Sequence, residues 1–95
     1  MDKMGEYREK LETQLKEWKA KIEMLEEKAA KATGDTKAEM MRSIEELRQK
    51  KGVVKEKWNA LQKESGIAWD AMKEGVEKAV SELKSALDKV ISRFK

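Results

Sequence analysis

The sequence predicts an all-α protein: an antiparallel three-helix bundle or coiled coil, with helices at about residues 5–33, 36–64 and 67–94. Three observations carry that expectation. Within each third of the chain, apolar residues recur at intervals of three and four, the spacing that lines one face of an α-helix. Charged residues make up 43% of the sequence and hydrophobic ones 39%, with no proline, a mixture that belongs to helical bundles and coiled coils. Two glycines, Gly34 and Gly66, fall where the periodic pattern breaks, and glycine is the residue best suited to the position just past a helix end. At 95 residues there is room for one modest core, so a single domain spanning 1–95 is expected.

The first helix presents Tyr7, Leu11, Leu15, Trp18, Ile22, Leu25, Ala29 and Ala32 as one stripe. Lys28 and Lys31 stand where cations complement the negative end of a helix. Gly34 then suits a left-handed stop, Asp35 or Thr36 can cap the next start, and Thr36-Lys-Ala-Glu39 fits a capping box. The alternative is that one helix runs on to about residue 64 and a shorter helix returns along it. Such a helix would be ~87 Å long at 1.5 Å per residue. Half of its stripe would be uncovered, so that arrangement requires a dimer.

The second helix presents Met40, Ile44, Leu47, Val54, Trp58 and Leu61, with Lys51 where an apolar residue is due. Lys51 falls level with Trp18 and Val80 in the predicted bundle, where its stem can lie along apolar surface while the ammonium reaches water. Gly52, beside it, is expected to make room for the indole. The third helix presents Trp69, Met72, Val76, Val80, Leu83, Leu87, Val90 and Phe94, widened by Ala79, Ala86 and Ile91, and is therefore expected to be the most buried. Reflecting the first stripe onto the second pairs Leu11 with Trp58 and Leu25 with Ile44 about a point between Gly34 and Asp35. Reflecting the second onto the third pairs Trp58 with Met72 and Leu47 with Leu83 about Ser65. Both centres land on the glycine breaks, which favours the bundle.

Composition excludes several chemistries. Cysteine and histidine are absent, which removes thiol nucleophiles, thiolate metal sites and the commonest general base and metal ligand. Adjacent carboxylates such as Glu26/Glu27 and Glu45/Glu46 point about 100° apart on a helix and do not converge. The glycines are isolated, so no phosphate-cradling loop is present. No catalytic residue, cofactor or metal is therefore expected, and the chain reads as non-enzymatic.

The net charge of +3 is a small excess over a dense mixed field of 22 basic and 19 acidic residues. The densest basic run, "RQKKGVVKEK", offers Arg48, Lys50, Lys51, Lys55 and Lys57 as candidate interaction residues. These could contact phosphates, and Trp58 could stack on a base. Against nucleic acid, the five spread around the helix and Trp58 belongs to the core stripe. Trp18 and Trp69 are also in core phase, as are Met40 and Met72, whereas Met24 and Met41 flank the stripe. No segment has the ~18 apolar residues of a membrane span, and the N-terminus lacks an apolar signal region, so a cytoplasmic setting is expected. The third helix has a wide apolar face with basic margins, the pattern of an amphipathic surface helix, but its near-balanced charge predicts only weak attraction to anionic lipid.

Two blocks, "YREKLETQLKEWKAKIEMLEEKAAKA" (7–32) and "ESGIAWDAMKEGVEKAVSELKSAL" (64–87), resemble a widespread group of small bacterial coiled-coil proteins, often labelled stress-response or uncharacterised. The second block carries a Ser-Gly turn, the Ala68–Trp69 pair and Gly75–Val76. The resemblance implies a cytoplasmic helical protein without catalytic residues. Members of that group tend to have Ala or Asp-Ala where this chain has Thr33-Gly34-Asp35. The functional expectation is a structural or protein–protein interaction module, with protein partners or self-association. The alternative is a lipid- or granule-surface binder.

Overall fold

The computed structural model describes residues 3–64, 66 and 68–94. Three helices account for nearly all of them: α1 (Lys3–Lys31), α2 (Gly34–Gln62) and α3 (Ala68–Arg93). Among the described residues there is no strand, and the fold is the all-α three-helix bundle that the periodicity predicts.

Helix α1 spans 29 residues, ~44 Å at 1.5 Å per residue, and is rich in the strong helix formers Ala, Leu, Glu and Lys. Its ends are charged in the favourable sense, with Glu6 in the first turn and Lys28 and Lys31 in the last. The β-branched Thr13 is accommodated by donating its hydroxyl to the Glu9 carbonyl at 2.9 Å, the back-bond that threonine makes inside helices.

The α1 ladder stops before Gly34. The Ala32 amide donates to the carbonyls of both Lys28 (3.0 Å) and Ala29 (3.2 Å), a shared bond typical of a helix terminus. Gly34 follows with φ +62°, a left-handed conformation that costs an L-residue about 1–2 kcal/mol. A continuous helix to residue 64 therefore does not form. Helix α2 starts at Gly34 itself, two residues ahead of the expected Thr36. Thr36 thus lies within the first turn and does not cap it, while Asp35 supplies the acidic residue there.

The second break is built differently. Lys63 and Glu64 donate to the carbonyls three residues back, Ala60 at 3.2 Å and Leu61 at 3.0 Å, tightening the end of α2 into 3₁₀ geometry. Gly66 is left-handed at φ +96°, and its carbonyl accepts the Trp69 amide at 3.2 Å, which opens α3. The expected centre at Ser65 and helix start at Ile67 lie outside the described residues.

By its contacts the chain divides into two compact units, Met1–Met41 and Arg42–Lys95. In the first, the buried side chains are Leu11, Trp18, Ile22, Leu25 and Ala29 of α1 and Met40 of α2. In the second they are Ile44, Leu47, Val54, Trp58 and Leu61 of α2, with Val76, Ala79, Leu83 and Leu87 of α3. Every one belongs to the predicted stripes. Among the described residues no polar or charged side chain is buried.

Within the second unit, α2 and α3 run antiparallel. Residues 43–50 of α2 line one groove with 81–93 of α3, whereas further along α2 the Lys57 ammonium lies 4.0 Å from where a Cβ on Gly75 would stand. Numbers rise on one helix as they fall on the other. The reflection about Ser65 puts residue 73 opposite Lys57, two short of Gly75. Side chains lean towards the N-terminus of their own helix, which for Lys57 is towards higher numbers on α3, and that accounts for the offset.

One expectation is refined and one corrected. Among the described residues α3 carries four buried side chains, against five on α1 and six on α2, but Val76, Leu83 and Leu87 put it level with α2 in fully enclosed ones. Its wide stripe spreads burial over half-exposed positions such as Met72, Val80, Ala86, Val90 and Ile91. Gly52 makes no room for an indole. It is exposed, and a Cβ there would meet nothing within 4 Å.

The two kinds of glycine predict opposite outcomes. Gly52→Ala removes backbone freedom from an open helical site and should stabilise the protein by about 0.5–1 kcal/mol. Gly34→Ala forces a Cβ into the left-handed region and should destabilise by about 1–2 kcal/mol. Urea unfolding followed by circular dichroism measures both, and a stabilising Gly34→Ala would refute the turn. In the core, Leu83 is fully enclosed at 0% exposure. Leu83→Ala should lower stability by about 2–5 kcal/mol, seen as a lower urea midpoint at unchanged slope.

Candidate functional site

The candidate interaction residues all lie on α2, and helix geometry sorts them. At about 100° per residue, Arg48, Lys51 and Lys55 fall within about 60° of one another, on one shoulder of the buried stripe. Lys50 and Lys57 fall about 20° apart on the opposite shoulder. The stripe itself, from Ile44 through Leu47, Val54 and Trp58 to Leu61, runs between them. The run that is dense in sequence is therefore two sets of cations, separated by the core it flanks.

Burial follows the same sorting. Arg48, Lys55 and Lys57 are exposed, whereas Lys50 and Lys51 are half-buried. Lys51 sits closest to the stripe, and its intermediate burial fits a lysine whose aliphatic stem covers apolar surface. Arg48 is not a bare cation: its Nη1 lies 3.9 Å from the Glu45 carboxylate one turn earlier. Both groups are more than half exposed, so water and salt screen the pair and its contribution is small.

Lys50 belongs to a feature absent from the sequence reading. It lines an open groove of about 580 Å³ together with Ser43, Glu46 and Leu47 on α2 and residues of α3 that include Glu82, Ser85, Ala86, Lys89 and Arg93. The register explains its charge pattern. Lys50 is seven residues back from Lys57 on α2, and Glu82 is seven residues on from Gly75 on α3. One heptad step along each helix from the approach of Lys57 to Gly75 brings opposite charges to the same level. This is how flanking positions of paired helices select partner and register. Small residues, Ser43, Ser85 and Ala86, leave the space between the charged rims open. Extending the Ser65 reflection from the stripe to its shoulders was the signal that could have found this groove.

The aromatic and methionine positions are also placed. Trp18 and Trp58 are buried at 3% and 5% exposure, whereas Trp69, in the first turn of α3, is half-buried. The Lys73 ammonium stands 5.4 Å from the Trp69 ring centroid and 3.9 Å from the Glu77 carboxylate. Trp69, Lys73 and Glu77 thus make a ladder with one residue per turn along α3, half-buried at Trp69 and Lys73 and exposed at Glu77. At the other end of α3, the Arg93 guanidinium lies 5.4 Å from the Phe94 ring. Met40 is buried and Met72 half-buried, but Met24 and Met41 are exposed, as is Val53. Singly exposed apolar side chains are ordinary on protein surfaces.

No family model, curated protein or solved structure matches this chain. Among the described residues, no group of three or more acidic residues is placed to hold a metal ion. Among the same residues, no helix is long and apolar enough to cross a membrane.

The groove yields a charge-reversal test. Lys50→Glu and Glu82→Lys should each destabilise by about 0.2–1 kcal/mol, and the double variant should recover most of the loss. The coupling should shrink as salt rises. Strict additivity in a thermal-unfolding cycle would mean that the two rims do not sense each other.

Proposed function

We propose that the chain is a non-enzymatic helical module with a structural or protein–protein interaction role. The observation that carries this reading is the division of side chains among the described residues: the buried ones are those of apolar residues, and the ionisable ones are exposed or half-buried. Catalytic groups draw their power from desolvated, preorganised surroundings, and here enclosure is given to aliphatic and indole packing. Charged rims on rigid helices are instead suited to selecting and orienting another helical surface. A bacterial cytoplasmic setting and an association with stress response rest on the resemblance of residues 7–32 and 64–87.

The test is crosslinking in cells, comparing the wild-type chain with two folded surface variants. One reverses Arg48, Lys51 and Lys55; the other reverses Lys50 and Lys57. A defined partner, or a second copy, captured by wild type and lost in one variant supports the module. Equal recovery by both variants and by an unfolded core variant would overturn it.

A second reading is favoured by the breadth of the α3 stripe, whose flanks are only half covered. It makes the chain a binder of lipid or granule surfaces through α3. Flotation with anionic liposomes at low salt separates the two. The module reading expects the chain to stay at the bottom of the gradient, whereas co-flotation that is abolished by Ile91→Glu would replace it with the lipid reading.

A further inference from the structure

We draw no further inference here: the strongest candidate, the open groove between α2 and α3 in the second unit, is lined by charges of both signs that the two helices present to each other, and nothing in the structure shows what covers it.

Discussion

Each helix of this protein carries a single apolar stripe, and burying those stripes is the constraint from which the rest follows. Removing a leucine- or valine-sized side chain from water contributes about 1.5–3 kcal/mol, far more than any one surface ion pair in the molecule. The stripe fixes which way each helix faces. It thereby also fixes where the charges go, because a residue's angle from the stripe decides whether it is enclosed, on a shoulder or fully outside. Lys51 shows the rule at its margin: a cation almost in phase with the core ends half-buried, with a stem long enough to serve both surroundings.

Much of the fold was legible because two signals are strictly local. A three-four spacing of apolar residues needs no knowledge of tertiary contacts to identify the enclosed face, and Leu11, Leu47, Val54 and Leu83 all lie where it puts them. A glycine placed between two such stripes announces a reversal, and both Gly34 and Gly66 adopt the positive φ that makes glycine necessary. Less legible were features that depend on how two signals compete. Thr36-Lys-Ala-Glu39 has the form of a capping box, yet a left-handed Gly34 allows the helix to begin two residues earlier and leaves threonine inside it. Gly52 next to Lys51 looked like a concession to a bulky neighbour, but it faces open space, so its absent side chain serves no packing need in the fold.

The candidate site was only partly readable, for a related reason. Counting basic residues in "RQKKGVVKEK" finds a dense run, but density along a sequence is not density in space. Helical rotation sends Lys50 and Lys57 to one side and Arg48, Lys51 and Lys55 to the other. The groove on the Lys50 side joins residues about 40 positions apart in the chain, and only a register between α2 and α3 brings them together. The reflection about Ser65 predicted that register to within half a turn, and the remaining offset reflects the direction in which a lysine side chain leaves its helix.

An interior without a buried polar or charged residue among the described ones carries a cost of its own. Coiled coils often hold their alignment with one polar residue that can be satisfied in only one arrangement, and such a lock is missing where every enclosed side chain is aliphatic, aromatic or a methionine thioether. Sliding α3 past α2 by one heptad would still set grease against grease. Fidelity of alignment in that hairpin therefore resides in its bend, where Gly66 is left-handed, and in its charged rims, where substitutions could change the pairing without unfolding either helix.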